Sequence, residues 1–222
     1  MRRCLWVSLL GFGAGLCLPL QAAIFHVAQA EARAEDHGPG TLDQPWKTVR
    51  HAAEQVAAGD RVIIHDGVYR EAVVVKASGS EGSPIVFETA PGAHVVLTGA
   101  DALRGWQPVG ERPVFRVAWP HRFIGWNQNM THPDDPWHRL IGRCEQVAVD
   151  GYLLRQVLAA GQLAPGAFFV DVTNRTLEVW DAANRDLNHV LAEASVRQEL
   201  LRVEGDAVRW RGVRFRFAAN MA

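Results

Sequence analysis

The stretch "THPDDPWHR", residues 131–139, holds two imidazoles and two carboxylates within seven positions. His132, Asp134, Asp135 and His138 have the donor types that bind a transition metal, and the same groups can serve as acid and base. The two prolines make this an extended loop, where His and Asp side chains also satisfy loop backbone. A second constellation is the Arg209, Arg211, Arg214 and Arg216 series. A row of guanidinium groups on a sheet can take carboxylates bidentately, and a solvated strand face is the plainer outcome. Trp137, together with Trp106, Trp119 and Trp126, would stack on sugar rings if exposed and would fill a core if not. Arg143 and Glu145 are spaced for an ordinary ion pair, and Cys144 between them reads as a small buried hydrophobe. His65 and Asp66 end a strand where a turn needs polar groups.

The chain that must position these groups has 222 residues, 48% of them hydrophobic and 21% charged, enough for a packed core. Arg2 and Arg3, an uncharged apolar run from Leu5 to Leu18, and the small residues Ala22 and Ala23 have the layout of a secretory signal peptide. The expectation is an exported protein, secreted or periplasmic, with no stable membrane insertion after cleavage. Removal of residues 1–23 takes Cys4 and Cys17, so Cys144 has no internal disulfide partner. It leaves 21 bases against 24 acids, a net charge of −3, which excludes nucleic acid as the expected partner. Arginine dominates the bases, with Lys47 and Lys76 the only lysines.

Ile24–Val27 reads as a first strand. In "TLDQPWKTVRHAAEQVAAGD", Trp46, Val49, Ala53, Val56 and Ala57 recur at helical spacing, with Pro45 in the first turn and Gly59 at the end. Short strands follow, several of them continuous Val/Ile runs rather than alternating ones, which suits strands buried along much of their length. The connection "HDGVYRE" between Val62–Ile64 and Val73–Val75 fits neither a tight hairpin nor a crossover helix, so these strands are expected on different faces of one coil, with Gly67 at the bend and Tyr69 at the corner. A helix with one apolar face would seal the first edge of such a stack. "FFVDVTNRTLEVWD" reads as a hairpin. The expected divisions are a leader (1–23), a strand and capping helix (24–60), first coils (61–101), an inserted β-rich elaboration (102–199), and a resumed coil (200–222) whose fresh strand at the end suggests truncation. Val208 and Trp210 differ in parity from Val213, Phe215 and Phe217, which requires a break at Arg211-Gly212.

"GTLDQPWKTVRHAAEQVAAGDRVIIHDGVYREAVVV" followed by "GSPIVFETAPGAHVVLTGAD" resembles the entry to secreted right-handed parallel β-helix proteins of the pectin lyase-like superfold. The resemblance spans roughly residues 24–101. It implies an all-β fold, a right-handed parallel β-helix with an N-terminal capping α-helix. It also implies a carbohydrate-active protein, acting on an acidic polysaccharide by lyase-type elimination or a related reaction. A non-catalytic surface or glycan-binding β-helix is the alternative on the same fold. Elimination needs a substrate carboxylate neutralised, by Ca²⁺ or by Arg, then a base and an acid. Neither lysine sits at mid-stack and no Asp cluster makes a Ca²⁺ cage. A lysine base would therefore lie beyond residue 222, or the base is not lysine; the catalytic residues are expected mostly beyond residue 222, with Ca²⁺ a cofactor the full-length protein could use.

Overall fold

The computed structural model describes residues 22–123 and 143–219. His132, Asp134, Asp135, Trp137 and His138 lie outside them, as does Trp126. The described chain is mostly β. It begins with β1 (Ile24–Val27), α1 (Val49–Gln55), β2 (Arg61–Ile64), β3 (Gly67–Tyr69), β4 (Val73–Val75), β5 (Ile85–Thr89) and β6 (Val95–Thr98). Next come β7 (Ala100–Ala102), β8 (Gln107–Pro108), β9 (Val114–Ala118), β10 (Val147–Val149), β11 (Tyr152–Leu153), β12 (Arg155–Val157), β13 (Ala167–Asp171), β14 (Thr176–Trp180) and β15 (Ala192–Ser195). The last strands are β16 (Leu201–Val203), β17 (Val208–Arg211) and β18 (Arg214–Arg216).

Three sheets are wholly parallel. Their orders are β1-β2-β5-β17, β3-β6-β18 and β4-β16. Successive passes of the chain therefore lay strand on strand in the same direction, and the inward side chains meet in one core. Val62, Ile64, Val73, Val75, Ile85, Phe87, Val95 and Leu97 are buried there. Each such side chain contributes about 1.5–3 kcal/mol on burial. Phe87 and Trp210, partners in register, stack with ring centroids 4.3 Å apart. The segment between β2 and β4 contains β3, three residues that the sequence did not mark as a strand. Tyr69 does pack at the corner, and its hydroxyl donates to the His65 carbonyl at 2.9 Å.

The helix is shorter than its apolar spacing suggests. Pro45 and Trp46 precede the helix, and Trp46 bridges to Val27 in parallel, donating its N–H to the His26 carbonyl and accepting from Ala28 N–H. Trp46 belongs to the apolar face because it is buried, though it precedes the helix. Thr48 is the N-cap, its hydroxyl oxygen accepting from the His51 N–H at 3.1 Å. Asp36 in turn accepts from Lys47 N–H, Thr48 N–H and the Thr48 hydroxyl. Glu71 accepts from the N–H groups of Val49 and Arg50. The helix buries Val49, Ala52 and Ala53 and packs on β4 and β1.

Two antiparallel sheets occupy residues 100–195, in orders β11-β10-β15-β7 and β12-β13-β14-β9-β8, with one parallel pair, β12 and β13. The hairpin of "FFVDVTNRTLEVWD" is β13 and β14, paired from Ala167↔Trp180 to Asp171↔Thr176. Asp150 and Gly151, at φ 48° and 81°, form the two-residue loop joining β10 to β11, where both residues need positive φ. A second core fills this region, with Trp106 and Trp119 each 2% exposed, so neither offers a face to a sugar. Cys144 is buried in the same core, and Arg143 and Glu145 form their ion pair at 2.9 Å.

The antiparallel unit leaves and re-enters the parallel ladders at one corner. Gly99 O accepts from Val196 N–H at 2.8 Å and from Arg197 N–H at 3.1 Å. Arg70, on the earlier pass, reaches up to it. It donates to the Ala100 carbonyl at 2.8 Å and pairs with Glu193 at 2.6 Å. Arg216, in register with Thr98 on the later pass, reaches down and donates to the Gly151 carbonyl at 3.1 Å.

Candidate functional site

Side chains alternate along a strand, so each parallel sheet has an inward set and an outward set. In the first sheet the inward row is Phe25, Val62, Phe87 and Trp210, in register across four strands. The outward rows flank it. One is Ile24, Arg61, Val86 and Arg209; the other is His26, Ile63, Glu88 and Arg211. The ladder thus gathers, on one open surface, residues up to 187 positions apart in the sequence (Ile24 to Arg211).

Glu88 is the centre of the charged part. Its side chain is 15% exposed and forms an ion pair with Arg61 on one neighbouring strand. Arg211 on the other neighbour approaches its second oxygen at 3.7 Å. Arg61 and Arg211 remain 50% and 60% exposed, and Arg209 is exposed beside them. A guanidinium has five N–H donors, so each arginine keeps donors for a further anion after meeting Glu88. Three arginines against one carboxylate leave this surface net positive, and an anionic group would be held there by charge-assisted, forked hydrogen bonds.

Beyond Ile63 lies an imidazole pair. His26 Nδ1 and His65 Nε2 are 3.0 Å apart, with ring centroids at 5.3 Å. Burial, and secondarily the neighbouring His65 ring, hold the His26 imidazole below its ordinary value. Asp66 turns away, accepting from His94 N–H at 2.8 Å.

The arginine series is divided by this geometry. Arg209 and Arg211 are on β17 and face outward in the first sheet. Gly212, at φ 76°, then turns the chain through a corner, the break that the change of parity requires. Arg214 is exposed on the outer side of the β3-β6-β18 sheet, in register with Val96. Arg216 is tied to Gly151 and lies over the Phe217 ring at 4.4 Å. Only the first two therefore share a surface with Arg61 and Glu88. Among the described residues no group of three or more His, Cys, Asp or Glu is placed to hold a metal ion. The proposed metal set of His132, Asp134, Asp135 and His138 falls outside those residues.

Sequence reasoning passed over Arg61, Glu88 and the His26–His65 pair. The alternation Arg61, Ile63, His65 in "RVIIH" was available as a signal for an outward set, but its partners across the ladder needed the register.

Comparisons with known proteins bear on these same strands. The chondroitinase B family matches over residues 44–106, the stretch that runs from before α1 through β7. The uncharacterized protein YwoF of Bacillus subtilis (strain 168) is 37% identical over 82 residues, covering 37% of this chain and 17% of that protein. Among solved structures, XylC in complex with xylose superposes with a TM-score of 0.71 at 23% identity, covering 89% of this chain and 36% of that one. A glycoside hydrolase superposes with a TM-score of 0.62 at 14% identity, covering 89% of this chain and 51% of that one. The chain therefore spans about a sixth of the length of YwoF and between a third and a half of the two solved chains. The two superpositions establish a shared fold.

Proposed function

We propose that this chain contributes to an exported, carbohydrate-active protein built on a right-handed parallel β-helix, and that its substrate is an acidic polysaccharide. Three parallel ladders visited in a fixed order support the β-helix reading, with α1 packed at their first end. The observation that carries the substrate class is the outward surface of Arg61, Arg209 and Arg211 about the single carboxylate of Glu88. The match to chondroitinase B over α1 to β7 and the fold shared with XylC and a glycoside hydrolase support the carbohydrate-active part of this reading.

On such a surface the arginines would pair with a uronate carboxylate or a sulfate ester. Neutralising a uronate carboxylate makes the adjacent C–H more acidic, the first requirement of elimination. Glu88, paired with Arg61 and approached by Arg211, orients the guanidinium groups on either side of it. That same arrangement favours the second reading, a glycan-binding surface without catalysis on this chain.

The test compares binding and turnover. The chain is presented with pectate, alginate, chondroitin sulfate and neutral xylan, with and without Ca²⁺, following ultraviolet absorbance of unsaturated products and reducing ends. Saturable, salt-sensitive binding of the acidic polymers but not of xylan is expected, and Arg61→Ala/Arg211→Ala should weaken it about tenfold or more, consistent with two lost charge-assisted contacts. Binding without product supports the non-catalytic reading. Equal binding of neutral xylan, unaffected by the double substitution, defeats the acidic-substrate assignment. Export is tested separately, by determining the amino terminus of the protein recovered outside the cytoplasm.

A further inference from the structure

β7 leaves the parallel ladders just after Gly99, and a cavity lies at its other end. Residues 102–104, at the end of β7, and residues 187–192, which lead into β15, close around a space of about 210 Å³. Its lining includes Ala102, Leu103, Arg104, Asn188, Val190 and Leu191. Arg104, Asn188 and Leu191 are exposed, so the space opens to solvent beside them. Its walls are fixed by hydrogen bonds. Leu103 donates its N–H to the Ala192 carbonyl at 2.8 Å, tying the two segments together. The Asn188 side chain accepts from Trp106 N–H at 3.1 Å and donates to the Trp106 carbonyl at 2.9 Å. Leu191 donates its N–H to the Asp150 carboxylate at 3.1 Å, and its carbonyl accepts from Asp150 N–H at 2.8 Å. A cavity framed in this way costs little further ordering when it is filled.

The charges around it are not equally committed. Asp150 and Asp181 are both paired with Arg185. Asp186 accepts from the backbone N–H and the side-chain amide of Asn188. Arg104 has no hydrogen-bond or ion-pair partner among the described residues. The cavity therefore combines one uncommitted guanidinium with walls that are aliphatic apart from Asn188.

We propose that this cavity binds the uronate ring that ends a glycan chain. Arg104 takes the ring carboxylate through two parallel N–H donors. The aliphatic lining meets a C–H face of the sugar, and the apolar area so covered adds to the charge-assisted contact. The space is smaller than the roughly 300–1,000 Å³ of sites for drug-sized ligands, which suits a single ring rather than a length of chain. The choice of a sugar as carrier of the carboxylate rests on the carbohydrate-active reading. The cavity shares no residue with the Arg61, Glu88 and Arg211 surface, so the two assignments can fail separately.

The test is a titration of the full chain with methyl glucuronide, methyl glucoside and acetate, followed by nuclear magnetic resonance. The two glycosides differ only in carrying a carboxylate or a hydroxymethyl group. Methyl glucuronide is expected to bind at least about tenfold more tightly than either of the others, the worth of one forked charge-assisted contact. Arg104→Gln should bring it down to the level of methyl glucoside. Ala102→Leu, which fills the cavity from β7, should weaken it to a similar degree, and melting curves check that both variants stay folded. Arg61→Ala/Arg211→Ala should bind methyl glucuronide as the unsubstituted chain does. Loss of binding in that double variant would place the ring on the arginine surface and overturn the cavity assignment while leaving the acidic-substrate reading intact. Failure of acidic polymers to bind, with methyl glucuronide still dependent on Arg104, would do the reverse. Absent or undiminished methyl glucuronide binding in the unsubstituted chain and in folded Arg104→Gln respectively, or acetate bound equally well, would also overturn the proposal.

Discussion

Gly40 sits at φ 71° with the Trp46 indole against it, and a Cβ at that position would lie 2.5 Å from a ring carbon. Gly92 has nearly the same backbone, φ 76°, but open space around it. The two separate backbone strain from steric overlap. Gly92→Ala is expected to cost about 1–2 kcal/mol, the left-handed penalty alone, whereas Gly40→Ala should cost at least about 1–3 kcal/mol more because the ring or the chain must move. Urea denaturation of both variants reads the difference, and equal losses would remove the packing argument. At the same scale, Asp181 is buried and accepts from the Arg185 side chain at 2.8 and 3.1 Å. That pairing holds its carboxyl below the ordinary value of 3.8. A depressed carboxylate contributes stability that is present above the unfolded value and is lost as pH falls through the folded one. Asp181→Asn should therefore lower stability at neutral pH and flatten its loss on acidification below that value, measured by denaturant midpoints across an acid series.

Among the elements, α1 owes its start to groups distant in the sequence. Glu71 accepts from Val49 N–H at 3.0 Å and Arg50 N–H at 2.8 Å, two of the donors a helix leaves unpaired at its first turn. Glu71→Ala should destabilise by about 1–2 kcal/mol, with faster hydrogen exchange at those two amides. Unchanged exchange would show that Thr48 and Asp36 suffice. This arrangement also explains what the sequence could disclose. The apolar period 46, 49, 53 announced a helix, because Trp46 is buried in line with it, but that period could not say that Trp46 is held by β1. The Val/Ile runs of β2, β4, β5 and β6 were legible since both their composition and their burial favour strands. Strand β15, "AEAS", was hard to find because alanine has little preference for the pleated state, and only packing on both faces fixes it. The arginine alternation of β17 was visible. The pairing of His65 with His26 was not, since the partners are 39 residues apart and meet only through parallel register.

For the molecule as a whole, the parallel ladders and the antiparallel unit are joined by charged contacts as well as by chain. Glu193 is 6% exposed and pairs with Arg70 from the earlier pass. Arg70→Ala leaves that carboxylate buried without its cation, a change expected to cost about 2–4 kcal/mol. Arg70→Met/Glu193→Met removes both charges and should recover much of the loss. Thermal unfolding of the three proteins measures this, and a double variant no better than Arg70→Ala would argue that Arg70 matters through its bond to the Ala100 carbonyl instead.

The meeting of Gly99 with Val196 has a broader consequence. An excursion that departs and comes home at one point is a closed bulge on its host, and entropy penalises its length only weakly. That seam can accept a longer, shorter or foreign cassette while the stacked strands keep their places. The scaffold is thereby open to variation in that unit without being rebuilt.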